Sequence, residues 1–352
     1  MRTYNVGILG ATGAVGQKFI NLLQGHPWFR VTELGASERS AGKPYKEAVT
    51  WIEPIDLPEE IANKTIQPCR PEVMKQVDFV FSGLDSGVAT EIEQSFAEAG
   101  IPVISNAKNF RQDETVPLLV PEVNHDHIKL ISKQKFTSDQ SGFIVTNPNC
   151  VCIPLTMAIA PLHQEFGVSS IVMTTLQAIS GGGYPGVPGM DITANVMPYI
   201  SDEEPKIGQE PLKILGKLNN GSIEMADIPV ESTATRVPTI EGHLLSVTAT
   251  FNKKPRDAEH AKEVLRNWKN PLTDYNLPSA PKHPLKIYDD PRFPQPRLHS
   301  YREGGMQVGI GRVRDASVMD LSMLILGHNT VRGAAGCSIL NAELLAVENY
   351  IK

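Results

Sequence analysis

Cys150 is the residue whose setting speaks most directly of chemistry. It follows Asn147-Pro148-Asn149 at the end of a strand-like run, Phe143 to Thr146, and precedes a helix-like stretch from Val151 to Phe166. Pro154 falls in the first turn of that stretch, where proline is tolerated. A thiol at a helix N-terminus meets the positive end of the dipole, which favours the thiolate, the form that attacks acyl carbons. Asn149, next to it, is a candidate for positioning an anion or an oxyanion. Cys150 and Cys152 as a metal-binding pair lack nearby His or Cys partners. Cys69 and Cys337 read as small buried hydrophobes.

A second chemical element stands at the start of the chain. Gly10-Ala11-Thr12-Gly13-Ala14-Val15-Gly16 joins a short apolar strand to an amphipathic helix. Small residues there let backbone approach a pyrophosphate, and the helix N-terminus offers free N–H groups. The expected second strand ends in Gly35-Ala36-Ser37-Glu38-Arg39-Ser40. An acid at this place takes a ribose 2′-hydroxyl in NAD sites. Two hydroxyls and a guanidinium, Ser37, Ser40 and Arg39, suit a 2′-phosphate instead, so NADP is the expected cofactor; Glu38 argues against it and Glu33 lies too early. A cysteine thioester beside a nicotinamide defines hydride transfer at the aldehyde and acyl levels. That chemistry needs a proton-transfer partner. His243, opening an alternating strand after Arg236-Val237-Pro238-Thr239-Ile240-Glu241-Gly242, is the candidate.

The elements that must position these residues follow from periodicity. Tyr4 to Leu9, Phe29 to Ala36, Asp78 to Phe81, Ile101 to Ser105 and Phe143 to Thr146 read as short apolar strands. Val15, Phe19, Leu22 and Leu23 mark one helix, and Val88, Ile92 and Phe96 line a face of another that stops at Gly100. This alternation predicts a doubly wound parallel sheet. After about residue 150 the strands lengthen and alternate, as in Ser169 to Ser180 and His243 to Phe251, which suits a sheet with differently covered faces. Asp257 to Lys269 reads as a helix with Asp257 as its cap, the proline-rich stretch 270–300 as an extended arm, and Asn329 to Ile351 as a final helix.

Composition sets the outer bounds. The 352 residues suggest about two domains at roughly 150 residues each. With 41% hydrophobic and 20% charged residues, the chain can build a sizeable core. The net charge of −6 offers no electrostatic case for nucleic acid or an anionic membrane surface. No apolar run approaches the roughly 20 residues that span a bilayer. Glycines at 7, 10, 13 and 16 interrupt any secretory reading of the N-terminus, and four sparse cysteines suit a reduced, cytoplasmic chain.

Taken together, these residues resemble the aspartate-β-semialdehyde dehydrogenase family, in its archaeal and fungal branch. The marks are Gly10 to Gly16, Ser105-Asn106-Ala107, Asn149-Cys150, Gln177-Ala178-Ile179-Ser180-Gly181, Arg236 with His243, and His328-Asn329-Thr330-Val331-Arg332-Gly333-Ala334-Ala335. They span nearly the whole chain. The resemblance implies an α/β fold: an N-terminal Rossmann-like doubly wound parallel sheet plus an α+β catalytic and dimerisation domain with a mixed sheet. It divides the chain into 1–149, completed by a C-terminal helix at 330–352, and 150–329. It implies reduction of β-aspartyl phosphate by NADPH to aspartate semialdehyde and inorganic phosphate, without a metal, in a homodimer or homotetramer.

By the same resemblance Cys150 is the acyl-thioester nucleophile, His243 the general acid/base, and Gln177 orients the acyl group. Arg236 takes the substrate α-carboxylate, Glu203 and Lys206 contact amine and phosphate, and Arg111 binds phosphate. Gly10, Thr12, Gly13, Ala14, Val15, Gly16, Ser37, Arg39, Ser40, Ser82, Gly182 and Asn329 contact the cofactor. Malonyl-CoA reductase, similar in fold and cysteine, is the rival enzyme; it needs no phosphate pocket. N-acetyl-γ-glutamyl-phosphate reductase shares the chemistry but fits the Arg236-to-His243 spacing and Gln177 less well. A non-catalytic NADP-binding protein would have no need of Cys150 and His243.

Overall fold

The first apolar run forms strand β1 (Tyr4–Leu9) of the computed structural model, which describes residues 2–352. Beside it lie β2 (Phe29–Ala36), β3 (Gln67–Pro68), β4 (Phe79–Ser82), β5 (Val103–Ser105) and β6 (Ile144–Thr146). They form one sheet in the order β3-β2-β1-β4-β5-β6. Every pairing is parallel. β4 is buried along its whole length, as expected of a strand covered on both faces. The helices α1 (Ala14–Leu22) and α2 (Ser86–Glu98) cross over it. The strand order reverses at β1, between β2 and β4, and opens a crevice at the carboxyl edge of the sheet. A Cβ at Gly16 would stand 2.3 Å from Gly10 O and 2.7 Å from Ala11 Cα, so glycine is what lets α1 start so close to the turn. The stripe Val88, Ile92, Phe96 straddles core and crevice: Phe96 is fully buried, whereas Val88 is 51% exposed.

The second half begins with α3 (Pro121–Asn124) and α4 (Cys152–Phe166) and continues through β7 (Val168–Gln177), α5 (Glu203–Ile214), the hairpin β8 (Lys217–Asn219) and β9 (Ser222–Glu224), and β10 (Val230–Arg236). Then follow β11 (His243–Phe251), α6 (Ala258–Asn267), β12 (Leu285–Tyr288), β13 (Val308–Asp315) and β14 (Leu321–Gly327). The sheet order is β10-β7-β11-β14-β13-β12. Its inner pairings are antiparallel and the outer two parallel, a mixed sheet. β11 alternates as its sequence predicts: Leu245, Val247, Ala249 and Phe251 are buried in the core with α4, and the residues between are half-buried. Asp257 caps α6 by accepting from His260 N at 2.8 Å.

Three elements differ from expectation. β7 stops at Gln177, because Ala178 is extended and a tight turn over Ile179–Gly182 takes the chain away from the sheet. The proline-rich arm is partly regular: Leu285 to Tyr288 adds an edge strand, while Leu272 and Leu277 reach the first core. The last helix, α7 (Gly336–Val347), starts later than Asn329, after a wide turn over Val331–Ala335 in which Ala334 adopts φ −151°, ψ −105°. α7 packs Ile339, Leu340, Leu344 and Leu345 into the first core. Its buried Glu343 accepts from Ser279 N at 3.0 Å and lies 2.8 Å from His26 Nε2. Conversely, Leu118 and Val120 belong to the second core.

Arg332, in the wide turn, pairs with Glu122 of α3 at 2.7 Å; both side chains are 0% exposed, and the guanidinium also meets Met157 Sδ. Removing one partner of such a pair leaves an uncompensated charge in a dry interior. Arg332→Met is therefore expected to cost about 3–5 kcal/mol in chemical unfolding, and adding Glu122→Gln to recover a large part of it. Equal stability of Arg332→Met and the wild type would show that the pair contributes nothing.

Candidate functional site

Cys150 sits two residues before α4, in the segment that leads from the carboxyl end of β6 into that helix. Its Sγ lies 3.2 Å from His243 Nε2. His243 is the first residue of β11 and is 0% exposed. The backbone N–H of Ala178 donates to His243 Nδ1 at 3.0 Å. A ring nitrogen that accepts carries no proton, so the neutral imidazole holds its proton on Nε2, facing the sulfur. The carbonyl of the same Ala178 accepts from Arg236 Nη1 at 2.8 Å. One backbone unit, placed by the break after β7, thus sets both the imidazole tautomer and the guanidinium position.

Burial, reinforced by the neighbouring Glu203 carboxylate, pushes the Cys150 thiol up to about 12, against the opposing pull of Arg111, Arg236 and Lys206. Burial also drives His243 down to about 3, with Arg236 and His328 adding to it. This runs against the thiolate expected at the helix dipole: burial and Glu203 favour a thiol beside a neutral imidazole in the free protein.

A second group of side chains surrounds this pair. Glu203, at the start of α5, accepts from Lys206 Nζ at 2.9 Å, from Asn149 Nδ2 at 3.1 Å and from Gln177 Nε2 at 3.2 Å. Burial raises the Glu203 pKa, but Lys206 together with the two amides outweighs it, so the carboxyl lies below its ordinary value. Asn149 departs from the anion-binding role expected of it. Its Nδ2 is held by Glu203, and its Oδ1 accepts from Val151 N at 2.9 Å. The side chain shapes the turn that presents Cys150 and has no group free for an oxyanion.

Glu210, on the same face of α5 as Glu203 and Lys206, is a residue the sequence reading missed. Its carboxylate takes Asn149 N at 2.6 Å and Arg111 Nη1 at 2.8 Å. The spacing 203, 206, 210 is the i, i+3, i+7 signature of one helix face and could have revealed it. Arg111 is thereby largely committed: Nη2 donates to Asn106 O at 2.8 Å, and only Nε lacks a partner. Gly333 closes the back of the site. A Cβ there would stand 2.8 Å from Cys150 Cβ, so glycine is what allows the wide turn to support the nucleophile.

A cavity of about 890 Å³ lies over the carboxyl edge of the first sheet. Gly10, Thr12, Gly13, Ala14, Val15 and Ser37 line it as expected, and Gly182 closes it from the second half. Val88 and Ile92 supply an apolar wall. No side chain caps the N-terminus of α1, so its first N–H groups face the cavity. These features fit a dinucleotide. Five expected contacts, Gly16, Arg39, Ser40, Ser82 and Asn329, do not line this cavity. Ser82 is fully buried and gives its hydroxyl to Glu93 Oε1 at 2.6 Å. Gly16 is buried under the turn, Arg39 is exposed outside the cavity, and Ser40 folds back, its N–H bonding Ser37 O at 2.8 Å. Asn329 is buried next to the site, donating to Ser180 Oγ and accepting from Gly242 N, each at 2.8 Å.

A thiol near 12 has a vanishing thiolate fraction at neutral pH, and that fraction grows tenfold per pH unit until the pKa is reached. Iodoacetamide labelling of the Cys150 peptide in the free protein, followed by mass spectrometry, is expected to be slow at pH 7 and to climb about tenfold per unit through pH 10. A rate already on a plateau at pH 7 would reveal a preformed thiolate.

Residues 5–131 match the semialdehyde dehydrogenase NAD-binding domain and residues 159–332 the semialdehyde dehydrogenase dimerisation domain. The chain is 47% identical over 348 residues to an aspartate-semialdehyde dehydrogenase of Archaeoglobus fulgidus, covering 99% of each, and 46% identical over 354 residues to that of Aspergillus fumigatus, covering 98% of each. Among solved structures, aspartate-semialdehyde dehydrogenase with NADP from Candida albicans superposes with a TM-score of 0.92 at 43% identity, covering 99% of both chains. An aspartate-semialdehyde dehydrogenase II from Vibrio cholerae, complexed with ASA, superposes at 0.75 with 26% identity. Identity of this order over the full length, on one and the same fold, makes the chain a member of the aspartate-semialdehyde dehydrogenase family.

Proposed function

We propose that this protein catalyses the NADPH-dependent reductive dephosphorylation of β-aspartyl phosphate to aspartate semialdehyde and inorganic phosphate, a step in the biosynthesis of the aspartate-derived amino acids lysine, threonine, methionine and isoleucine. The observation that carries the reading is the Cys150 Sγ–His243 Nε2 contact of 3.2 Å, framed by Arg236, Glu203 and Lys206. A short acyl phosphate bearing a carboxylate and an ammonium matches those charges one by one. Arg236 takes the carboxylate, with Nη1 braced on Ala178 O. Glu203 takes the ammonium. Lys206 and the uncommitted Nε–H of Arg111 take the phosphate, and Gln177 orients the acyl group.

Sγ attacks the acyl carbon, and the departing phosphate oxygen carries away the thiol proton, leaving a thioester. NADPH, when bound in the crevice, supplies the hydride that reduces this thioester. The Nε2–H of His243 then faces the oxygen of the tetrahedral adduct on Cys150 and stabilises its charge. Collapse of that adduct releases the aldehyde and a Cys150 thiolate, which regains from water the proton that departed with phosphate. In this reading His243 acts on the adduct as a hydrogen-bond donor through Nε2–H, because Ala178 N–H occupies Nδ1. NADP is supported by the cavity and by the cofactor of the Candida albicans structure.

The two cores and the position of α7 support a division into 1–149 plus 330–352, and 150–329. The dimerisation-domain match supports a homo-oligomer, for which we propose a homodimer or homotetramer. Among the described residues no helix is long and apolar enough to cross a membrane; a cytoplasmic location is our proposal.

Cys150→Ser is expected to keep NADPH binding and to lower turnover by roughly 10³-fold or more, since a covalent step is lost. Substantial activity in that variant would displace Cys150 as nucleophile. Rates measured in parallel with aspartate semialdehyde plus phosphate and with malonyl-CoA are expected to favour the first strongly; a preference for malonyl-CoA would overturn the substrate.

A further inference from the structure

We propose that Arg70, rather than Arg39, grips the 2′-phosphate of the cofactor and sets the preference for NADPH over NADH, and that its ion pair with Glu38 is the resting form of that grip. The proposal rests on the NADP reading above. β2 and β3 run parallel, with Gly35 opposite Gln67 and Ala36 opposite Pro68. Beyond the sheet edge the same register brings Ser37-Glu38 beside Cys69-Arg70, and all four residues line the dinucleotide cavity. Arg70 Nη2 lies 2.6 Å from Glu38 Oε1. The backbone of Arg70 is fixed although its head is exposed: its N–H donates to Pro68 O at 2.8 Å, and its carbonyl accepts from the N–H of Met74, whose side chain is fully buried. Arg39 lies outside the cavity and has no ion-pair partner among the described residues.

The chemistry follows from the place of Glu38. An acid just beyond β2 is where an NAD site binds the ribose diol, and a bare carboxylate there would repel a phosphate. Arg70 removes that obstacle by pairing with the acid. The guanidinium is a planar fork that binds phosphate with two parallel hydrogen bonds, and a dianion competes well with an exposed carboxylate for it. Binding is then an exchange of partners at Arg70, with the Ser37 hydroxyl at its side. Nothing in the sequence alone pairs residue 70 with residue 38; the edge strand does.

The test is equilibrium binding without turnover. Wild type, Arg70→Ala, Arg70→Lys, Arg39→Ala and Glu38→Gln are titrated with NADPH, NADH, 2′,5′-ADP and 5′-AMP by calorimetry, with thermal unfolding confirming each fold. Arg70→Ala is expected to weaken NADPH and 2′,5′-ADP about tenfold or more while sparing NADH and 5′-AMP, and Arg70→Lys to lose less. Glu38→Gln is expected to leave NADPH binding as tight or tighter. An unchanged NADPH-to-NADH ratio in Arg70→Ala, an equal loss for both dinucleotides, a selective loss that falls on Arg39→Ala, or weakened NADPH binding in Glu38→Gln overturns the proposal. Wild-type protein that binds NADH as tightly as NADPH refutes the NADP reading itself, before any variant is compared.

Discussion

The site depends on the two polar ends of one backbone unit. The N–H of Ala178 occupies Nδ1 of His243, and its carbonyl holds Arg236. The first contact decides which imidazole nitrogen carries a proton; the second decides where a carboxylate can bind. In both contacts the Ala178 partner is main chain, so it is fixed by the path of the backbone. They exist because β7 ends at Gln177 and the chain turns away before the next residues can pair with the sheet. A break in regular structure at the edge of a rigid sheet positions functional groups more firmly than a flexible loop does.

Around this unit, charge is arranged by a single helix face. Glu203, Lys206 and Glu210 of α5 meet the turn that carries the nucleophile from below, and each carboxylate is matched by donors. Glu203 holds the Asn149 side chain, and Glu210 holds its backbone N–H. The nucleophile's position is therefore set by a network that is itself neutralised, which limits the desolvation cost of so many charges in one place. The thiol remains uncharged within it, since burial and Glu203 together outweigh three cations.

Much of this was legible in the sequence, and the rest was not for identifiable reasons. The bounds of β1, β2 and β11 follow from apolar runs, alternation and glycine punctuation, all of which are local signals. The glycine turn, Cys150 and His243 stand out because their types are rare at such places. The helix dipole that favours a thiolate is visible in sequence, while the burial that pushes the thiol up is a tertiary property. Ser82 was assigned to the cofactor by resemblance and Asn149 to an anion by residue type, yet neither signal reveals that Glu93 and Glu203 already occupy them. Arg70 and Glu210 were missed because each acts through a partner far away in sequence, brought near only by strand register or by helix packing.

The placement of α7 has a bearing on how the protein is made. Its apolar face belongs to the core of the sheet that the ribosome produces first, and the turn before it supplies Gly333 behind Cys150. The opening sheet therefore has one flank uncovered until residues 336–347 pack against it. The docking of α7 and the backing of the nucleophile by Gly333 are thus parts of one packing arrangement.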